Sequence, residues 1–456
     1  MFTSPPRALI GGLFLLLLFC AAPVSGGGQS LGINLAGLHD WNSELPFVDL
    51  FRLSRTWVSQ ENGKPWGKGP ALVLDEHGWI TRLAPETWAE SCILNIRSGQ
   101  YPKGTYTLLH KGRGKIEIGN VGGRFKQTPG KVEFTLNGEE NIVWIGIKET
   151  DPEDYIRDIR VFIPGYGESP PTDILRPGFL KRWQGMDVVR YMEFMDVNNS
   201  RIQHWDDRVR LDDSTWTIHG APIEMAIEIS NRLQAAPWFS IPHLADNTYV
   251  RRFAELVRDR LDPELKIYLE YSNETWNPMF DQTRYCREQG IKMGLSTNPV
   301  QAGLRFASLR SIEIFHIWQQ VFGDSKRLVM TMAGQAASTL TSEEKLKYRD
   351  AWKEVDALAI APYMTLNVSP RSTPSQQEVR QWSLDRLLQE MATSNFNKAM
   401  GWVRESKKLA DRYHVALIGY EGGQHMVGML NSENDEQLTA LFHAANRSEE
   451  MGRIYS

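Results

Sequence analysis

The sequence predicts an α/β fold: a (β/α)8-type TIM barrel, its eighth strand missing, with an antiparallel β-sandwich inserted in it. Three observations predict it. Apolar strand-like runs alternate with helical segments near the start and over the second half of the chain, the rhythm of a parallel sheet covered by helices. From about residue 62 to 165 that rhythm gives way to Gly-, Thr- and Val-rich runs of period two, the pattern of short antiparallel strands. Two of the barrel-type runs end on a glutamate, Glu274 and Glu421, at the strand ends where such barrels carry their chemistry.

Residues 1–28 carry Arg7, an apolar run over 9–22, then Pro23, Val24, Ser25 and glycines. This is the order of a secretory signal peptide, so the mature protein is expected to be secreted or periplasmic. The apolar run is shorter than the roughly 20 residues of a membrane span, and no membrane association is expected once it is removed. Cys20 follows the bulky Phe19, which argues against lipid attachment.

Residues 29–61 read as the first βα unit, with a strand over 31–38 and a helix over 46–57 that places Phe47, Leu50, Phe51 and Ser54 at helical spacing. Residues 62–170 read as the inserted sandwich, with strands over 105–110, 115–119, 131–136 and 141–148 and a hairpin turn at Asn137-Gly138. The stretch PGYGESPPTDILRP marks the return to the barrel, to which residues 171–456 belong. Strands are expected over 187–194, 236–242, 266–271, 327–333, 357–363 and 415–420, with helices between them over 222–233, 249–261 and 300–322. With the first unit this makes seven. After Glu421 only a helix-like segment, about 434–451, is expected, so the sequence reads as truncated before an eighth strand, since an open edge strand invites aggregation.

A formal net charge of -4 with mixed signs and no basic stripe argues against nucleic acid as a partner. Beyond the leader only Cys92 and Cys286 remain, read as buried free thiols rather than a disulfide framework. The 15 Trp are generous for this length: most suit an ordinary core, but indoles also stack on sugar rings.

The most informative segment is residues 266–277, KIYLEYSNETWN, in which a β-rich run ends on Asn273-Glu274 followed by Trp276. Glu421 ends the run VALIGYEGG in the same way. Two carboxylates from two strand ends are the minimum for breaking a glycosidic bond, one to protonate the leaving oxygen and one to attack or activate water. Glu270 shares the strand parity of Glu274 but lies deeper, where it is expected to give hydrogen-bonding support. Trp276, Trp41 and Trp205 are candidate sugar platforms, and His39, Asp40, His243 and Asp246 fall on the same face. No HxxxH or CxxC pair occurs, so no metal and no cofactor is expected. A serine hydrolase is excluded by the lack of a G-x-S-x-G elbow. Glycosylation sequons start at Asn198, Asn273 and Asn446; a glycan at Asn273 would block the cleft, and that match is discounted.

A fourth strand closing on Asn-Glu and a seventh closing on Glu resemble the clan A retaining glycoside hydrolases. The resemblance covers the barrel part of the chain. It implies Glu274 as acid/base, Asn273 as ligand of the sugar 2-hydroxyl and Glu421 as nucleophile. Arg190 in the second strand and Tyr363 at the end of the sixth resemble the clan's Arg and Tyr that contact the nucleophile, although Arg190 also suits a structural ion pair. The function implied is a secreted retaining β-glycoside hydrolase acting on a polysaccharide or oligosaccharide. Its substrate contacts would come from Asn273, Trp276, Arg190, Tyr363, His243, His39 and Trp41. The alternative is a non-catalytic carbohydrate-binding surface protein on the same barrel.

Overall fold

The computed structural model describes residues 30–96, 100–123, 125–169, 171–324 and 326–455. The leader-like segment 1–28 lies outside the described residues. Seven parallel strands form one curled sheet in chain order: Gly32–Asn34, Val188–Arg190, Ala236–Ile241, Ile267–Tyr271, Leu328–Ala333, Ala357–Ile360 and Ala416–Gly419. They are called strands one to seven below. Strands three to six are buried over most of their length, as a sheet with both faces covered requires, whereas strand seven is half-exposed throughout.

Among the described residues no strand lies between strand one and strand seven. Their C-terminal ends are nevertheless close, because Asn34 Nδ2 donates to the Tyr420 carbonyl at 3.1 Å. A cavity of about 730 Å³ opens along this seam, walled by Ile33, Leu417, Trp238 and Tyr268 among others.

The covering helices form where the apolar spacing expects them. Asn247–Arg260 turns Tyr249, Val250, Phe253, Ala254 and Val257 inward, and the Asp246 carboxylate caps it by accepting from Tyr249 N. Pro299–Phe322 starts on an Asn298 cap with Pro at its first position and stops at Gly323, whose φ of +75° suits a residue without Cβ.

Three expectations are corrected. The helix over 46–57 is a single 3-10 turn, Leu50–Leu53. Asp49 caps that turn but also accepts from Val161 N at 2.8 Å in the inserted sheets, and these tertiary contacts hold the flanks extended. Next, Glu421 is followed by a strand, Gly423–Gly428, which pairs in parallel with Tyr363–Val368 and extends the cleft side of the sheet beyond strands six and seven. Only then come helices, Glu436–Asn446 and Glu449–Tyr455, in place of one. Asn137-Gly138 is not a hairpin turn either, because the strands it joins belong to different sheets. The Glu140 carboxylate accepts the amides of Asn137, Gly138 and Glu139, and the chain crosses between sheets there.

Between strands one and two lie two four-stranded antiparallel sheets. One orders Val58–Glu61, Thr87–Leu94, Val143–Thr150 and Gly114–Gly119; the other orders Arg157–Phe162, Gly104–Lys111, Lys131–Leu136 and Phe125–Thr128. Buried residues alternate with more exposed ones along Lys131–Leu136, where Val132, Phe134 and Leu136 face inward. A single apolar core runs from these residues through Phe47, Phe51 and Trp216 to Phe194, Val189 and Phe239 in the barrel. Phe47 is the joint, edge-on to Trp216 at 5.1 Å and tilted on Phe194 at 6.3 Å.

Candidate active site

Strand four carries its polar end into the cleft by an unusual backbone. Ser272 and Glu274 have φ of +57° and +42°, left-handed values that non-glycine residues seldom adopt and that persist only when surrounding bonds hold them. Those bonds are present: Ser272 N donates to Ile241 O at 2.8 Å, Gln282 Nε2 to Asn273 O at 2.9 Å and Asn277 N to Glu274 O at 2.8 Å.

Arg190 of strand two, 2% exposed, is the hub of the site. One terminal nitrogen donates to Glu421 Oε1 at 2.9 Å and Asn34 Oδ1 at 3.3 Å; the other donates to Glu270 Oε2 and Asn273 Oδ1, both at 3.0 Å. Glu270 Oε2 also accepts from Trp238 Nε1 at 2.9 Å and Ser240 Oγ at 3.2 Å, so one oxygen of this deep carboxylate gathers all of these donors. Arg190 is therefore at once a structural ion-pair partner and a direct contact of Glu421.

Glu421 Oε2 accepts from the Tyr363 hydroxyl. Burial pushes the Glu421 carboxyl up; the Arg190 charge and the Tyr363 bond pull it back, and the neighbouring Glu274 and Glu270 push it up again, leaving it above the ordinary glutamate value. Glu274 is held by neutral donors, Tyr420 hydroxyl to Oε1 and Asn277 Nδ2 to Oε2, both at 2.8 Å. Burial and the adjacent carboxylates raise the phenols of Tyr363 and Tyr420 well above their ordinary value, so both remain donors.

Glu274 and Glu421 face one cavity of about 680 Å³, with Asn273, Trp276, Tyr363 and Tyr420 in its walls. Trp276 lies edge-on to Tyr420 at 6.3 Å, with the buried Lys345 ammonium 4.9 Å from its ring centre. Burial lowers Lys345 to about 8. Asn273 Nδ2 donates to Asn198 Oδ1 at 3.0 Å.

The remaining candidates fall outside this cavity. His39 and Trp41 stack on each other at 4.3 Å. His243 lines a smaller neighbouring cavity of about 180 Å³ with Asn199, Asp281 and Tyr285; burial lowers it to about 4, so it is a neutral imidazole. Trp205 packs on Tyr249 beneath Arg208. Among the described residues, the one group of histidine and acidic side chains close enough to share an ion is His77, Asp212 and Asp213, away from the cleft. Asp40 pairs with Arg55, and Asp246 with His204, each at 2.8 Å.

Sequence reasoning missed Asn34, Asn198, Tyr420 and Asn277. Tyr420 directly precedes Glu421 and Asn277 lies three residues after Glu274, but only the turns that follow the strands aim them at Glu274.

No protein-family model matches this sequence, and comparison with curated proteins finds no match. Among solved structures, the chain has a distant likeness to a Bacteroides uniformis beta-glucuronidase 2 covalently bound to cyclophellitol-6-carboxylate aziridine. The identity is 12% and the TM-score 0.23; the likeness covers 77% of this chain and 46% of that one. The chain thus spans less than half the length of the protein it is compared with.

Proposed function

We propose that this chain is an exported retaining β-glycoside hydrolase, with residues 1–28 as its export signal and residues 62–170 as an inserted domain. The observation that carries the reading is that Glu274 and Glu421, from strand ends three strands apart, meet in one cleft and are bound into one network through Tyr420 and Arg190. In the first step Glu421, ionised and steadied by Arg190 and Tyr363, attacks the anomeric carbon. Glu274, protonated, gives its proton to the departing oxygen. Water then attacks the glycosyl-enzyme bond, Glu274 takes a proton from it, and Glu421 leaves as carboxylate. Asn273, its oxygen fixed by Arg190, turns its amide from Asn198 to the sugar 2-hydroxyl as charge develops. Trp276 forms the wall on which the ring rests.

Retention requires the two carboxyl groups to lie about 5–5.5 Å apart, against about 6.5–9.5 Å for inversion. The test is to incubate the protein with a panel of aryl β-glycosides and follow the first-formed anomer by proton NMR. The β anomer is expected. First appearance of the α anomer would replace retention by inversion, and absence of turnover across the panel would favour the non-catalytic carbohydrate-binding alternative.

A further inference from the structure

Two tryptophans stand in solvent, and both are held there. Trp41, 53% exposed, stacks on His39 at 4.3 Å and has the Arg55 guanidinium 5.6 Å from its ring centre. Trp66, 59% exposed, meets Trp144 edge-on at 5.8 Å. The loop carrying Trp66 is pinned to the inserted sheet: Gly67 N donates to Gln60 Oε1 at 3.0 Å and Gly69 N to Ser59 O at 3.2 Å. Gly69 lies so close that a Cβ there would fall 2.8 Å from the Gln60 backbone. A loop fixed in this way presents its indole already ordered, which lowers the entropy cost of binding.

Contacts through the body of the inserted sheet, by way of the buried Cys92, fix the two indoles relative to each other, and the Trp41 loop is fixed against the cleft wall. Arg55, beside Trp41, donates its amide to Cys92 O at 2.9 Å; Cys92 pairs with Trp144 across the sheet, and Trp144 meets Trp66. At the other end Gly37, two residues before His39, packs against the backbone of Glu193, which lines the cleft.

Charge narrows what can lie along this path. Arg55 is paired with Asp40 at 2.8 Å, and Lys148, 4.2 Å from the Trp88 ring centre, is paired with Glu90 and Glu117 at 3.7 Å each. These cations, and Lys64 paired with Glu61 at 2.8 Å, are compensated on the spot; Lys68 near Trp66 adds a single charge uncompensated among the described residues, which leaves little to attract a polyanion. An uncharged ring with an apolar C–H face and a polar rim, a pyranose, matches indoles flanked by paired polar groups.

We propose that Trp41 and Trp66, backed by Trp144, form a track for a neutral β-linked polysaccharide chain leading into the cleft between Glu274 and Glu421. The inference rests on the glycoside hydrolase reading and gives that site a polymer as its substrate.

The test uses the full chain carrying Glu421→Gln, so that polymer survives, run in affinity gels containing hydroxyethyl cellulose, arabinoxylan or mixed-linkage β-glucan, with polygalacturonate as the charged control. Retardation by a neutral polymer is expected, weakened about five- to tenfold in Kd by Trp66→Ala or Trp41→Ala and further by both together. In the active protein the same substitutions should raise KM for that polymer relative to KM for a p-nitrophenyl glycoside. Equal affinity with and without the two indoles overturns the track. So does retardation by polygalacturonate alone, or by no polymer at all. A dimer in light scattering that Trp66→Ala disperses would assign the face to a second copy and also overturn it. Should no glycoside be cleaved while the Trp variants still lose retardation, the track stands and only the hydrolase reading falls.

Discussion

The ends of strands four and seven present the same side chain to the same cleft in two different settings. Glu274 is met by a phenol and an amide, both neutral. Glu421 is met by a guanidinium and a phenol. The contrast teaches that two carboxyls of the same residue type are set apart by the charge of the donors that face them. A permanent cation favours the ionised form that the proposed nucleophile needs, and at Glu421 it offsets part of the upward push of burial and the neighbouring carboxylates.

Replacing Glu421 gives the largest expected effect. Glu421→Ala should lower kcat by about 10⁴-fold or more, as loss of a nucleophile does, with the thermal melt close to wild type. Azide should restore cleavage with inverted stereochemistry by filling the vacated space. If Glu274→Ala is equally inactive on every substrate, the two ends are not distinguished as argued. Its loss is expected to be about 10²–10⁴-fold on glycosides with poor leaving groups and slight on those with good ones, because only the former need protonation.

Removing the cation tests the cause of the contrast. The Glu421 carboxyl already sits above the ordinary glutamate value and must be ionised to attack, so activity should fall as pH drops through that raised value. Arg190→Met takes away the main influence pulling it down; the acid limb of kcat/KM should then move toward neutral pH. An acid limb that stays in place would mean that Arg190 does not set the ionisation of Glu421. The variant also leaves Glu270 buried without its counter-charge, at a cost of about 3–5 kcal/mol in stability, which a melt will show. Arg190→Lys keeps the charge but loses the fork that reaches both glutamates, and should shift the limb less. Tyr420→Phe should have the smallest effect, about tenfold in kcat/KM, since one hydrogen bond to a carboxylate is lost. A loss confined to glycosides with poor leaving groups would place Tyr420 on Glu274, as its geometry does.

The order of the barrel strands and helices such as Pro299–Phe322 were legible because their signals are local: apolar runs bounded by caps, prolines and glycines. Ile267–Tyr271 and Pro299–Phe322 need nothing from the rest of the chain to be recognised. What escaped depends on distant partners. Phe47, Leu50 and Phe51 have helical spacing, yet a carboxylate at Asp49 that serves both a turn and Val161 holds the segment in another form. Gly423–Gly428 is bounded by glycines and becomes a strand only because Tyr363–Val368 lies beside it. At the site, the strand-end glutamates could be read from position. Asn34 and Asn198 could not, since each matters only through a residue more than seventy positions away. Likewise the insert's tryptophans show no regular spacing, and folding alone places Trp66 on Trp144.

The seam between strands one and seven bears on how the protein fails under heat. Among the described residues strand seven has no hydrogen-bonded ladder on that side; it is fastened by the Asn34 amide on the Tyr420 carbonyl and by Arg190 reaching across to Asn34 and Glu421. A sheet edge tied at a few points unzips locally at a lower free energy than the sheet melts as a whole. Glu421, the proposed nucleophile, therefore rides on a labile margin while Glu274, the proposed acid/base, sits at the end of a strand paired on both sides. Thermal inactivation should then set in below the global melting transition and reverse on cooling, and deuterium should enter the amides of Ala416–Gly419 before those of Ile267–Tyr271.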